Sequence, residues 1–373
     1  MKQRSIAKES TIMLQYEKEP QEIKIAVPNG NYRVTLRVTA RTDTVYTVYS
    51  QNRSFVAVDR AIKADETQEL TFIVNVCDYV RRDAEYLVDG IKVSIVCDDG
   101  LSASVSQVPV RIPTLYILGD STVTDQPAQY PYVPEKTYCG WGQVLPMFLD
   151  NGIAVSNHAE SGATTAETDQ IHFQMVRPKL QPGDYLMAEF GHNDQKDPNL
   201  KAFEGYARYL RRFVSYARDC GAQPILNAPV NRIIFDENGR ILNLLGEYRN
   251  AVKEVAEQEH VPFIDLWTAS TDFFEPLGLH TAKNYFRHDD ESQDYTHTND
   301  LGGTIIAKLW ASMAARAGVR GLSEHILTDR LAIGEIKPDA NAPKESNVQE
   351  FVRLKSIGLG TVPADLDADI SHI

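Results

Sequence analysis

Leu115-Tyr-Ile-Leu-Gly-Asp-Ser-Thr-Val123 (LYILGDSTV) runs four apolar residues straight into Gly-Asp-Ser. An unbroken apolar run suits a strand buried on both faces, as in a parallel sheet. The polar break after Leu118 then falls at the strand's carboxyl end, where open α/β sheets collect their sites. Ser121 has two readings there. It is a nucleophile lifted to the top of a buried strand, or a hydroxyl capping the next helix. Nine residues fit both, and the rest of the chain has to separate them.

Outward from this stretch the pattern repeats. Continuous apolar strands at Leu115–Leu118, Ile153–Val155, Tyr185–Phe190, Pro224–Ala228 and Phe263–Leu266 alternate with helical stripes. Tyr206, Tyr209, Leu210, Phe213, Val214 and Ala217 trace one helix, closed by Gly221. Asn243–Glu259 and Gly302–Ala317 read as two more. This predicts a doubly wound, three-layer α/β domain of flavodoxin-like type over residues 113–320. Upstream the period changes. Tyr32, Val34, Leu36 and Val38 alternate with polar neighbours, as do Leu70, Phe72, Val74, Val76 and then Ile91, Val93, Ile95. Turn signals at Asn29-Gly30 and Asp98-Asp99-Gly100 separate these runs, predicting a β-sandwich over residues 1–112, with Pro113 at the junction. Residues 321–373, rich in Asp, Pro and Lys, carry only weak periodicity and stand as an extension of open role.

A net charge of −13 without a sustained basic run argues against nucleic acid or an anionic membrane as partner. No segment approaches the roughly 20 apolar residues of a membrane span, and charges interrupt every apolar run of MKQRSIAKESTIMLQYEKEP, so a cytoplasmic location is the expectation. Cys77, Cys97, Cys139 and Cys220 are scattered, without a C-x-x-C spacing, and read as reduced thiols; a Cys77–Cys97 bridge is a question for geometry.

Four polar clusters follow predicted strands or precede the last helix: Gly119-Asp120-Ser121, Asn157-His158-Ala159-Glu160-Ser161-Gly162-Ala163-Thr164, Gly191-His192-Asn193-Asp194-Gln195 and Asp294-Tyr-Thr-His297. A serine hydroxyl needs a base to take its proton, and the base needs an orienting carboxylate. Asp294 and His297 can supply both from one loop, with Asp294 on Nδ1 and Nε2 toward Ser121. The developing oxyanion needs fixed donors, which the backbone amides of Ser121 and Gly162 and the side-chain amide of Asn193 can provide. Taken singly, each has a structural explanation: Ser121 a cap, Gly162 a turn glycine, Asn193 an Asx turn, His297 and Asp294 loop residues. Their ordered occurrence at strand ends is what favours chemistry.

That ordered set resembles the SGNH (GDSL) hydrolase superfamily, with its Ser, Gly, Asn and Asp-x-x-His blocks, from Leu115 to about Ala317. Gly119-Asp-Ser-Thr-Val123 with Asp125-Gln126, Gly140-Trp-Gly-Gln143-Val-Leu-Pro146, Gly191-His-Asn-Asp-Gln-Lys196 and Val261-Pro-Phe-Ile-Asp-Leu-Trp267 look more narrowly like its rhamnogalacturonan acetylesterase branch, some members of which carry an N-terminal β-sandwich. The resemblance implies Ser121 as nucleophile, His297 as base, Asp294 as its orienter and Ser121, Gly162 and Asn193 as the oxyanion hole. It implies metal-free, cofactor-free removal of acetyl groups from pectic oligosaccharides through an acetyl-enzyme. Asp125, Trp141, Thr164 and His280 are the candidate substrate contacts, with His288 and an aromatic platform of Tyr130, Tyr132 and Tyr138 beside them. Ala163-Thr164 departs from the Arg-Ser type of pair many relatives carry, which leaves the glycan open. The runners-up are a xylan or other oligosaccharide acetylesterase, a lipid esterase or thioesterase, a non-catalytic glycan binder, and a metal site at His158, His192 and Asp194. The polar, acidic loops (Asp125, Glu160, Asp194, Asp197) favour hydroxylated substrates over an acyl groove. For the sandwich, glycan binding, shaping of the cleft and homodimer formation are all open.

Overall fold

The computed structural model describes residues 14–81, 84–86, 88–98, 100–336, 338 and 344–356. The expectations for the N-terminal leader, for the turn residue at 99 and for the end of the tail fall on residues outside this set. Nine strands come first: β1 (Gln21–Ile25), β2 (Gly30–Ala40), β3 (Thr44–Ser50), β4 (Ser54–Ile62), β5 (Thr67–Val76), β6 (Tyr79–Arg81), β7 (Ala84–Tyr86), β8 (Ile91–Val96) and β9 (Leu101–Val110). They build an antiparallel sheet in the order β1-β8-β3-β4 and a second in the order β5-β2-β9, with β6 and β7 as a separate hairpin. The alternation read from sequence has a direct cause. Val34, Leu36 and Val38 of β2 and Phe72 and Val74 of β5 turn inward onto Tyr46 and Val48 of β3 and Val93 and Ile95 of β8 in one shared core.

The second region is wound on a five-stranded parallel sheet, β10 (Thr114–Gly119), β11 (Ala154–Asn157), β12 (Tyr185–Glu189), β13 (Gln223–Asn227) and β14 (Phe263–Ile264), in the order β11-β10-β12-β13-β14. Because successive side chains point to opposite faces, β10 feeds two cores. Leu115 and Ile117 pack with Trp310 of α8 (Asp300–Ala317), while Tyr116 and Leu118 pack with Leu210 and Phe213 of α4 (Ala207–Asp219) and Val252 of α5 (Gly246–Glu259). The apolar run of the opening stretch is therefore the middle layer of three. Leu266, expected to end the last strand, instead opens helix α6 (Leu266–Phe274), since Asp265 accepts from the Thr268 amide and caps it. No helix among the described residues is long and apolar enough to cross a membrane.

The two regions are not beads on a string. Tyr16, Tyr49, Phe55 and Val96 belong to the same core cluster as Leu115 and Trp141. Arg53, in the tight turn between β3 and β4, reaches into the α/β region. Its Nη1 donates to the carbonyls of Gln126 at 3.1 Å and Tyr138 at 3.0 Å, and its Nη2 pairs with buried Asp300. The rings of Tyr49, Phe55 and Tyr132 enclose the guanidinium, with centroids 5.4, 5.2 and 5.8 Å from its carbon. Beyond α8 the chain folds back, and helix α9 (Val348–Ser356) buries Phe351 and Leu354 against Ile234 and Leu244. All four cysteines are free thiols, so the Cys77–Cys97 bridge does not form.

Candidate active site

Three loops meet where the strand order reverses, at the carboxyl ends of β11, β10 and β12. After β10 no helix begins. Residues 121–124 form a turn in which the Val123 and Thr124 amides both donate to the Asp120 carbonyl. The side chain that caps this turn is Asp120, whose Oδ1 accepts the Thr122 amide at 3.0 Å and the Thr122 hydroxyl at 2.9 Å. The Ser121 hydroxyl is thereby left for another partner. The motif around Trp141 backs the turn closely: a Cβ on Gly140 would lie 2.2 Å from the Thr124 carbonyl oxygen, so only glycine fits.

That partner is His297. Ser121 Oγ lies 2.8 Å from His297 Nε2, and His297 Nδ1 lies 2.9 Å from Asp294 Oδ2. Asp294 Oδ1 also accepts the backbone amides of Thr296 at 2.7 Å and His297 at 2.8 Å, which fixes the loop. Burial works to raise the Asp294 pKa, but the hydrogen bond and charge of His297 and these amides outweigh it and hold the carboxyl below its usual range. It is ionised at neutral pH and faces the imidazole N–H.

Asn193 follows β12. Lys196 Nζ donates to its Oδ1 at 3.0 Å, so the amide nitrogen is turned the other way, where it donates to the Ala163 carbonyl at 3.1 Å. An amide nitrogen carries two hydrogens, and one remains for a third group. Gly162 has φ +82°, a conformation glycine adopts without strain, and the loop carrying it is stitched to β10 by Glu160 N donating to the Gly119 carbonyl at 3.0 Å. Gln126 Nε2 spans this loop and the Ser121 turn, reaching Ser161 Oγ at 3.1 Å and the Ser121 carbonyl at 3.5 Å.

Beneath the turn lies a buried acid pair. The Thr122 hydroxyl bridges Asp120 Oδ1 and Glu189 Oε1, and Glu189 also accepts from the Val230 amide at 3.1 Å and Trp141 Nε1 at 2.6 Å. Burial, then the neighbouring Asp120, push Glu189 up to about 8. Asp194 accepts from the Thr165 amide and hydroxyl at 2.9 and 2.5 Å, yet burial pushes it up to about 7. The Arg232 guanidinium, 2% exposed, donates from Nε to Thr296 Oγ1 at 3.1 Å.

Several sequence expectations move. Trp141 is buried, 1% exposed and stacked on Trp310, so its ring cannot meet a sugar; it anchors Glu189 instead. Asp125 is also buried, held by Asn157 Nδ2 at 2.7 Å and Ser54 Oγ at 3.2 Å, and ties the N-terminal sheets to the α/β region. Thr164 spends its hydroxyl as the N-cap of α2 (Thr165–Gln170), accepting from the Glu167 amide. His280 pairs with Glu345 of the C-terminal segment at 3.1 Å, and His288 Nδ1 lies 2.9 Å from the Phe286 carbonyl, so neither contacts the Ser121 cluster. Of the three tyrosines, Tyr132 is buried and donates to Asp300, whereas Tyr138 is 39% exposed with its ring edge-on to His297, centroids 5.8 Å apart. His158, His192 and Asp194 each serve a different partner: Ser156 and Cys77, the Val230 carbonyl, and Thr165. Sequence reasoning quoted Gln126 and Lys196 only as parts of motifs, without a role, and passed over Glu189 and Arg232. Of the latter two, only Glu189, an acid closing an apolar strand, carried a local signal.

Residues 117–305 match the GDSL-like lipase/acylhydrolase family. The chain belongs to that family. It is an ester hydrolase of the serine type. Within this GDSL family, the chain is 35% identical over 230 residues to rhamnogalacturonan acetylesterase RhgT of Bacillus subtilis, a match covering 59% of this chain and 95% of that one. It is 33% identical over 221 residues to a probable rhamnogalacturonan acetylesterase, YesY, of the same organism, covering 58% and 98%. The solved structure of protein YxiM from Bacillus subtilis superimposes with a TM-score of 0.54 at 24% identity, covering 81% of each chain, which shows a shared fold.

Proposed function

We propose that this GDSL hydrolase is a carbohydrate esterase that removes O-acetyl groups from pectic, rhamnogalacturonan-type oligosaccharides through an acetyl-enzyme. The observation that carries the reading is the unbroken relay from Ser121 Oγ to His297 to ionised Asp294, set beside the Asn193 amide at the sheet's switch point. The named relatives support the acetyl-sugar class. In this reading Ser121 Oγ attacks the ester carbonyl as its proton passes to His297 Nε2, and Asp294 stabilises the imidazolium. The oxyanion is received by the Ser121 and Gly162 amides and by the second Asn193 Nδ2–H. Collapse breaks the bond to the sugar oxygen, which leaves with the proton from Nε2. Water then repeats the sequence and releases acetate. The N-terminal sheets enter as a β-sandwich module whose Arg53 and Asp125 brace the loops around the site, a role supported by their contacts.

The test is acetate release from a panel of acetylated pectic and xylan oligosaccharides. The pectic substrates should lead, and Ser121→Ala should lower turnover by about 10⁴-fold or more with an unchanged circular dichroism spectrum. Wild-type turnover by that variant removes Ser121 as nucleophile; preferred release from xylan fragments moves the substrate.

A further inference from the structure

A cavity of about 510 Å³ opens where the antiparallel sheets meet the parallel one, a size within the roughly 300–1,000 Å³ of small-molecule sites. On one side it is lined by Val155, Ser156 and Asn157 of β11, the edge strand of the parallel sheet, and by His158 after them. The other side comes from β1, β5, β8 and the turn between β3 and β4. None of Ser121, Gly162, Asn193, Asp294 and His297 lines it, so it is separate from the catalytic cleft.

The β3–β4 turn divides its side chains between bracing and this cavity. Gln51 is spent on structure: its Nε2 donates to the Gly90 carbonyl at 3.2 Å and the Asn75 carbonyl at 3.4 Å, and its Oε1 accepts the Lys92 amide at 2.8 Å. Arg53 is spent on Asp300. Asn52, between them, lines the cavity half-buried, and its side-chain amide makes no hydrogen bond among the described residues. Asn75 lines it too. Its Nδ2 donates to Asn31 Oδ1 at 2.7 Å, which leaves its Oδ1 without a donor among the described residues. Together the two carboxamides offer both donors and acceptors. Charge on the lining balances, with Lys24 and Lys92 against Asp89 and Asp125. Both lysines already share Glu22, at 3.2 and 3.4 Å, and Asp125 is held by Ser54 and Asn157. An ion of either sign therefore gains little here. A neutral molecule rich in hydroxyls, each both donor and acceptor, matches the unspent amides. Val88, Ile91 and Val155 add apolar surface suited to the C–H face of a sugar ring.

We propose that this junction cavity is a non-catalytic binding site for a neutral saccharide unit, held by the side-chain amides of Asn52 and Asn75. The inference goes beyond the esterase reading and stands apart from it, because it rests on the cavity's own lining. The competing role is a packing seam between the two regions, which would bind no sugar.

The experiment titrates cellobiose, xylobiose and galactobiose, and their monosaccharides, calorimetrically into the full chain. At least one disaccharide should bind saturably, one per chain, without raising KM for p-nitrophenyl acetate. Asn52→Ala should weaken that binding about two- to tenfold, the range of one neutral hydrogen bond. Asn52→Trp, whose indole takes up cavity volume, should abolish it, with circular dichroism checking the fold of both variants; if the Trp variant misfolds, the Ala variant decides. Tighter binding of the disaccharide than of its monosaccharide identifies a stretch of a glycan chain as the ligand, and equal affinities identify a free sugar. The proposal is overturned if no sugar binds saturably, if a folded Asn52 variant binds as wild type does, or if the sugar competes with p-nitrophenyl acetate at a constant equal to its Kd, which would place it in the catalytic cleft. Absence of acetate release from every acetylated oligosaccharide would remove the esterase reading and leave this one standing.

Discussion

Glu189 and Asp120 show how a single proton can sit at the base of the turn that carries Ser121. Two carboxyls joined through one Thr122 hydroxyl in a dry site cannot both ionise cheaply, and Glu189 holds its proton up to about 8. Its unperturbed value is 4.5, so the folded chain binds more protons than the unfolded chain between these values. The stability it contributes is fully present below the lower value and is lost as pH rises through the upper one. The melting temperature should therefore fall from about pH 5 to about pH 9, and Glu189→Gln, which cannot titrate, should flatten that slope. An undiminished slope in the variant places the titration elsewhere. Asp294 makes the opposite case, a carboxylate kept charged. Asp294→Asn should lower kcat by about 10³-fold or more while leaving the thermal melt within a few degrees, a result steady-state kinetics and calorimetry read together. At this scale the sequence was partly legible. Ser121 taken alone reads more readily as a cap than as a nucleophile, but Thr122-Val123-Thr124 is β-branched and Pro127 follows, which disfavours a helix to cap. Trp141 misled because no local pattern tells whether a ring beside a site loop faces solvent or the Trp310 indole.

The turn between β3 and β4 is the element whose importance was hidden. Gln51 and Arg53 take φ of +50° and +71°, a region side chains rarely enter, and such strain persists only where the surroundings over-determine it. Here they do: Arg53 joins two carbonyls, one carboxylate and three rings. Asp300 lies 247 positions away in sequence, so no periodicity or spacing could announce the pair. The strands themselves were readable because burial on one or two faces writes itself as alternation or as an unbroken run. Removing one member of a buried ion pair costs roughly 3–5 kcal/mol. Arg53→Met should lower the melting temperature. It should also raise KM for an acetylated oligosaccharide more than for p-nitrophenyl acetate, because the Gln126 and Tyr138 loops lose a shared anchor. Arg53→Lys should recover little, since an ammonium lacks the planar fork. Equal KM changes on both substrates would confine Arg53 to stability.

Across the whole molecule, the core that mixes Tyr49 and Phe55 with Trp141 and Leu145 ties the antiparallel sheets to the parallel one. Unfolding should accordingly appear in calorimetry as one cooperative transition, and two well-separated transitions would show the halves to be independent. A chain starting at Pro113 should be poorly soluble, as it exposes that face and leaves the Asp300 carboxylate buried without its cation. Yet RhgT aligns over 95% of its own length with only 59% of this chain, so a family member manages without most of the remainder. The peptide junction near Pro113 and the true seam of the protein are thus different places. For anyone recombining these genes, the smallest exchangeable cassette is the α/β half together with the Gln51–Ser54 turn, and a crossover drawn at the linker would cut through the joint it was meant to spare.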